Sequence, residues 1–191
     1  VDWRNPLGTL TVIAAHRWAD INYYSTTTGI LINERQHPKQ SSLEARLASP
    51  SDQPLRWLVG GYYLDTDMTA RSISENPAGN NFSDQRIITG GQAWASFGQL
   101  TWAVTDSLRL VGGLRYTTEE KTSDSRRYNV PNAIGPDPII PQVPTAAPIT
   151  VVNASKRWSD TTWKLGMEWD VGPRSLIYAN ASTGFKAGGF Y

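Results

Sequence analysis

The sequence predicts an all-β fold, an antiparallel meander of about seven long strands. Three observations predict it: hydropathy alternates with period 2, connections alternate between tight turns and long polar stretches, and aromatic residues recur near both ends of the strands. From Leu108 to Thr117 the even positions are Leu108, Leu110, Gly112, Leu114 and Tyr116, while the odd ones include Arg109 and Arg115. From Thr162 to Val171 the odd residues are Trp163, Leu165, Met167, Trp169 and Val171, set against Lys164, Glu168 and Asp170. Leu43, Ala45 and Leu47 oppose Glu44 and Arg46, and Leu55, Trp57, Val59 and Tyr63 oppose Arg56. Segments 9–18, 91–104 and 174–184 complete the set.

The short connections are 49–54, 105–107 and 172–173, all with turn chemistry. Long connections are expected at 19–40, 66–90 and 121–157. The last holds Pro131, Pro136, Pro138, Pro141, Pro144 and Pro148, six of the chain's 12 prolines, each lacking the N–H that a ladder needs. Unequal ends of this kind characterise outer-membrane barrels, with tight turns on one side and long external loops on the other. The aromatics agree. Trp57, Trp102 and Trp169 lie near the short turns, and Tyr63, Trp94, Tyr116 and Trp163 lie toward the long connections. Six residues from Trp163 to Trp169 span about 20 Å and eight from Trp94 to Trp102 about 26 Å. Tilted by ~40°, these become roughly 15–20 Å, compatible with two aromatic belts edging a band ~25 Å tall. A soluble β-sandwich, with the apolar face packed on a second sheet, produces the same alternation and remains open on pattern alone.

Composition narrows the classes. The chain has 191 residues, 18 Lys+Arg against 17 Asp+Glu, no Cys and two His. Disulfides and Cys-ligated zinc are impossible, and near neutrality gives no bulk attraction to nucleic acid, so none is expected as a partner. Eight Trp and eight Tyr against four Phe favour an interface, where a ring with a polar handle is useful. No apolar run reaches the ~18 residues of a membrane helix, which says nothing against membrane strands. The chain opens on Val1 with neither an initiator Met nor a signal-peptide form, which suggests an excised piece.

Particular segments carry a resemblance. Trp94-Ala-Ser-Phe-Gly-Gln-Leu-Thr-Trp102 followed by Thr105 through Gly-Gly-Leu-Arg-Tyr116 to Lys121 resembles the barrel of TonB-dependent outer-membrane receptors. Tyr178-Ala-Asn-Ala-Ser-Thr-Gly-Phe-Lys-Ala-Gly-Gly-Phe190 is similar to another element of that family, as are Ser42 to Ser49 and Trp57 to Tyr63. The match covers most of 40–190 in family order. It implies an incomplete part of a large transmembrane β-barrel with long external loops, roughly 22 strands when whole. The N-terminal plug domain, the TonB-contacting box and the remaining strands are expected to be absent from 1–191, which would be a central to late piece. The implied partners are outer-membrane lipid, TonB through the missing plug region, and a small-molecule ligand such as an iron chelate. The implied location is the bacterial outer membrane.

If the apolar face meets lipid, Glu44, Arg46, Arg56, Arg109, Arg115, Lys164, Glu168 and Asp170 face the lumen, where arginine pairs specifically with carboxylates. Ordinary solvated strand residues are the plainer account of each. For ligand capture, Tyr23, Tyr24, Phe82 and Tyr128 are loop aromatics suited to stacking, and Arg126 and Arg127 suit an anionic chelate. Catalysis is not expected. His16 and His37 lack ligand-spaced partners, Glu168 and Asp170 show nothing that raises a pKa, and the Gly-Gly pairs open no helix. No cofactor or metal is expected. The matches to the glycosylation pattern at Asn81, Asn153 and Asn180 would go unmodified in a bacterial protein. The expected function is energy-coupled uptake of a ferric siderophore or similar scarce ligand. A carbohydrate-binding sandwich and a passive porin are the alternatives.

Overall fold

The computed structural model describes residues 1–27, 30–76, 81–131 and 146–190. They form one antiparallel sheet of nine strands: β1 (Asp2–Asn5), β2 (Gly8–Trp18), β3 (Ile21–Thr27), β4 (Ile30–Ala48), β5 (Leu55–Asn76), β6 (Asn81–Ala103), β7 (Leu108–Pro131), β8 (Thr150–Gly172) and β9 (Ser175–Ser182). Neighbours follow chain order except at β3, which pairs with β4 beside β2. Helix is absent among the described residues.

The expected all-β meander is present, with two differences. The first is the count: β1 and β3 are short strands that the alternation does not signal. The second concerns the long connections at 19–40, 66–90 and 121–157. Their described parts are mostly strand. The β5–β6 ladder runs unbroken from Leu55↔Trp102 to Asn76↔Asn81, and β7–β8 from Leu108↔Trp169 to Arg127↔Thr150. Above the aromatics polar residues stand on both faces of these hairpins and apolar ones such as Ile73, Ile87 and Ile88 follow no period of 2, so the hydropathy signal vanishes while the backbone ladder continues. Most of the proline-rich stretch, with Pro136, Pro138, Pro141 and Pro144, lies outside the described residues.

Pro38 stands inside β4, where a proline would ordinarily cost a ladder bond. Its carbonyl accepts from Ala19 N at 3.1 Å. In an antiparallel strand a residue's N–H and C=O point to the same side. The missing N–H therefore faces the gap between β2 and β3, and the pairing of Pro38 with Met68 on the β5 side loses nothing.

Constant register gives each strand the same two faces throughout. One face collects Leu43 and Leu47 of β4; Leu55, Trp57, Val59 and Tyr63 of β5; Trp94, Leu100 and Trp102 of β6; Leu110, Leu114 and Tyr116 of β7; Trp163, Leu165, Met167 and Trp169 of β8. These side chains are bare of protein: Leu114 is 63% exposed, Leu165 61% and Trp94 59%. Among the described residues no second layer covers them, so the sandwich alternative fails. Buried apolar residues are few and mostly alanine (Ala70, Ala93, Ala95, Ala187), with Phe82 and the carboxylate Asp84. Among the described residues such a sheet is held by its ladder and has no apolar core.

The opposite face is crowded and small. A Cβ at Gly60 would lie 2.5 Å from the Phe97 ring and 2.8 Å from the Ala45 carbonyl oxygen. Gly60→Val is expected to destabilise the sheet by about 1–3 kcal/mol through overpacking. Urea unfolding of the membrane-inserted protein checks this, against Gly61→Ala, where a Cβ meets nothing nearer than 3.8 Å.

Candidate functional site

The eight charged residues expected on the lumen side all fall on this crowded face. Arg46, Gly60, Phe97, Arg115 and Thr162 stand directly across from one another on β4 to β8. Glu44, Tyr62, Ala95, Thr117 and Asp160 form the next row. The Arg115 guanidinium lies 5.6 Å from the Phe97 ring centre and 5.9 Å from that of Tyr62, and its Nε donates to Thr117 Oγ1 at 3.1 Å. Arg46 Nη1 approaches Glu44 Oε1 at 3.4 Å. A cation held on two rings keeps its charge and its remaining N–H donors for an anion in front of it.

Closer to the short turns, Arg109 of β7 holds two carboxylates of β8. Its Nε donates to Glu168 Oε2 at 3.0 Å, and Nη1 and Nη2 donate to Asp170 Oδ2 and Oδ1 at 2.7 and 3.1 Å. The fork geometry fits a structural clamp between the two strands. Arg56 and Lys164 share the face and make no ion pair among the described residues.

One group escaped the sequence. After β9 the chain crosses the same face: Thr183 N donates to Trp163 O at 3.0 Å, Lys121 Nζ to Gly188 O at 3.0 Å, and the Phe190 ring sits 6.2 Å from Trp158. A Cβ at Gly188 would meet the Trp158 ring at 2.8 Å, which explains the glycine. Lys156 Nζ lies 5.5 Å from the Trp158 ring centre. The segment leaves a cavity of about 270 Å³ lined by Thr66, Gly91, Ala93, Glu119, Lys121 and Phe190. Trp158 at an even position, out of phase with Trp163, was the available signal.

All seven expected belt aromatics (Trp57, Tyr63, Trp94, Trp102, Tyr116, Trp163 and Trp169) share the apolar face, and Tyr63 stacks on Trp94 with ring centres 4.2 Å apart. One step beyond Leu43, Tyr63, Trp94 and Thr118, that face turns polar at Ser41, Asp65, Gln92 and Glu120. The model of the TonB-dependent receptor-like β-barrel matches residues 2–191. The chain belongs to this family. Its barrels reside in the bacterial outer membrane, where a bare apolar face such as that of this receptor wall suits lipid and a charged face suits a hydrated interior.

Solved structures share the fold. The ferric yersiniabactin uptake receptor FyuA from Yersinia pestis superposes with a TM-score of 0.77 at 15% identity, over 94% of this chain and 26% of that one. The ferric citrate transporter FecA in its unliganded form gives 0.63 at 12%, over 91% and 24%, and the copper transporter OprC 0.62 at 12%, over 90% and 28%. The receptor segment described here spans about a quarter of the length of these relatives.

The residues expected on capture loops lie on strand extensions of the receptor wall instead. Tyr23 and Tyr24 are on β3, Phe82 on β6, and Arg126, Arg127 and Tyr128 on β7. Alternation sends them to different faces. Tyr24 is 75% and Phe82 3% exposed, so Phe82 has no surface for stacking on a ligand. Arg126 donates to Asp124 at 3.1 and 3.0 Å, Arg127 Nε to Ser83 Oγ at 2.6 Å, and Tyr128 lies under Arg86 at 5.7 Å. A hydrogen bond to Glu34 pushes the Tyr23 phenol up, and Asp124 pushes the Arg126 guanidinium up.

Just above the apolar band of the receptor, Arg157 with the Ser155 hydroxyl holds the Glu120 carboxyl below its ordinary value of 4.5. A lowered folded-state value means stability that is complete above the ordinary value and is lost as pH falls through the lower one. Glu120→Gln is therefore expected to flatten the acid side of the stability profile below about pH 4.5 and to leave neutral pH nearly unchanged. Urea midpoints measured between pH 3 and pH 7 (about one unit apart) test this; an unchanged acid slope refutes it.

Proposed function

We propose that the chain is part of the barrel wall of an outer-membrane receptor that imports a scarce ligand, a ferric siderophore or a similar metal chelate. Energy would come from TonB through a plug domain outside residues 1–191, and the remaining barrel strands also lie outside this chain. The observation that carries the reading is the inner-face row of Arg46, Phe97 and Arg115 with Tyr62 behind it, on a wall of this family. Metal chelates of this class are commonly anionic and carry planar groups, which a ring-backed arginine can meet through charge and stacking. That relatives of the same fold are described as ferric yersiniabactin, ferric citrate and copper transporters supports metal-linked cargo. The role is one of binding and passage, with no chemical step: ligand enters from the side of the long hairpins, meets the inner-face cations, and moves when the plug is pulled.

The test is uptake of radiolabelled ferric siderophores by cells that express the full-length receptor as their sole candidate importer, with and without TonB. The reading expects TonB-dependent uptake of at least one chelate and a fall of about tenfold with Arg115→Gln, the loss of one charge-assisted contact. Ion conductance without TonB, coupled with uptake indifferent to TonB, would establish a passive porin instead.

A further inference from the structure

The segment that follows β9 roofs part of the inner face, and the cavity of about 270 Å³ beneath it has the form of a slot. Its floor is β6 at Gly91 and Ala93, where almost no side chain stands up from the wall. A Cβ at Gly91 would come within 2.8 Å of Thr66 Oγ1, and that hydroxyl donates to the Gly91 carbonyl at 3.1 Å. Glycine therefore keeps the floor flat. The roof is the Phe190 ring, backed by Trp158 with 6.2 Å between ring centres.

One edge of the slot is polar in a particular way. Lys121 Nζ donates to the Gly188 carbonyl at 3.0 Å and lies 3.2 Å from Glu119 Oε1, which accounts for two of the three N–H bonds of an ammonium. The Glu119 carboxylate has lone pairs beyond the one that Lys121 takes. A donor and an acceptor thus stand side by side on the cavity wall. Their complement is a hydroxyl, whose oxygen accepts from Lys121 while its hydrogen goes to Glu119. A carboxylate is a poor guest there, because Glu119 already neutralises Lys121 and repels a second anion.

Shape completes the selection. A flat floor under an aromatic roof suits a planar ring, which stacks, and disfavours a puckered one. The volume lies below the ~300–1,000 Å³ of pockets that enclose a whole drug-sized ligand, so the slot takes one ring and leaves the rest of the ligand in the lumen. Glu119 and Lys121 follow Arg115 along β7 by four and six residues, about 13–20 Å of strand toward the long hairpins. A ligand entering from that side meets the slot before it meets Arg115.

We propose that the slot between Phe190 and Gly91 binds one phenolic ring of the imported ligand, stacked beneath Phe190 with its hydroxyl between Lys121 and Glu119. The inference rests on the uptake reading for the source of the ring.

The full-length receptor, purified in detergent from outer membranes and shown to be folded by heat-modifiable gel migration, would be dialysed against radiolabelled phenol, benzoate and cyclohexanol. Phenol is expected to bind saturably, with benzoate and cyclohexanol at least tenfold weaker. Phe190→Leu, which keeps apolar packing on Trp158 and removes the ring, is expected to lose fivefold or more for phenol. Glu119→Gln removes the repelling charge and is expected to bring benzoate within threefold of phenol, a change of preference that a merely structural role for Glu119 would not produce. Should Glu119→Gln fail to fold, Phe190→Leu carries the test alone. No saturable phenol binding, or folded variants that keep the parent's three affinities within twofold, would overturn the proposal. So would cyclohexanol binding as tightly as phenol, which would make the space an unselective apolar cleft. TonB-dependent uptake without phenol in the slot removes this inference alone, and phenol in the slot without such uptake removes the transport reading alone.

Discussion

Leu165→Arg is expected to cost about 2–4 kcal/mol of stability in a bilayer, the loss found for a basic residue on the lipid side of a barrel near mid-depth. Leu165 is 61% exposed and stands across from Gly112, between Trp163 and Trp169 and so away from both aromatic edges. On a surface facing water the same change would be nearly neutral, because a solvated arginine costs little. The control is Gln99→Arg, one row away at the same depth on the opposite face, where the change should fall within about 0.5 kcal/mol. Urea unfolding of the full-length receptor in vesicles gives both values. Equal and small effects for the two variants would remove the lipid assignment of the apolar face, and with it every functional statement made above.

Asp84→Ala should be the most damaging change outside the membrane. The carboxylate is 1% exposed and serves two arginines, Arg71 and Arg86, whose side chains are 22% and 32% exposed. Removing one partner of a buried ion pair costs ~3–5 kcal/mol, and the partial wetting of these arginines lowers that to roughly 2–3 kcal/mol. The loss is local, because Asp84 and its two arginines sit on the upper β5–β6 hairpin, far along the strands from the rows of Val59 and Gly98. Amide exchange at Ile73, Ser74, Ser83 and Gln85, which pair across this hairpin, is expected to accelerate by about thirtyfold or more, while Val59 and Gly98 stay protected. Unchanged exchange at the hairpin would show that Asp84 does not organise it.

The two changes probe two regimes of one strand, and the sequence was legible in only one of them. Within the membrane the two sides of each strand meet different solvents. Leu108, Leu110 and Leu114 against Arg109 and Arg115, or Trp163, Leu165 and Met167 against Lys164 and Glu168, therefore had to alternate, and the face of every one of the fifteen belt and inner-face candidates followed from parity alone. Higher up, Thr66 to Asn76 and Asn81 to Gly90 carry polar residues on both faces. Backbone hydrogen bonds are indifferent to the side chains they carry, so these arms pair without any periodic signature, and Tyr23, Phe82 and Tyr128 look like loop residues while lying on strands.

Sequence by itself determined the strand class, the two faces, the aromatic edges and, through ordered motifs, the receptor family; all of these are local or periodic properties of a chain in two solvents. Tertiary structure decided which residues meet across strands. Phe97 lies between Arg46 and Arg115 only because of register, and so does Gly91 between Thr66 and Lys121, residues far apart in the chain. Register is a sum over an entire ladder, fixed by turn lengths and by which face must meet lipid, and no window of sequence contains it.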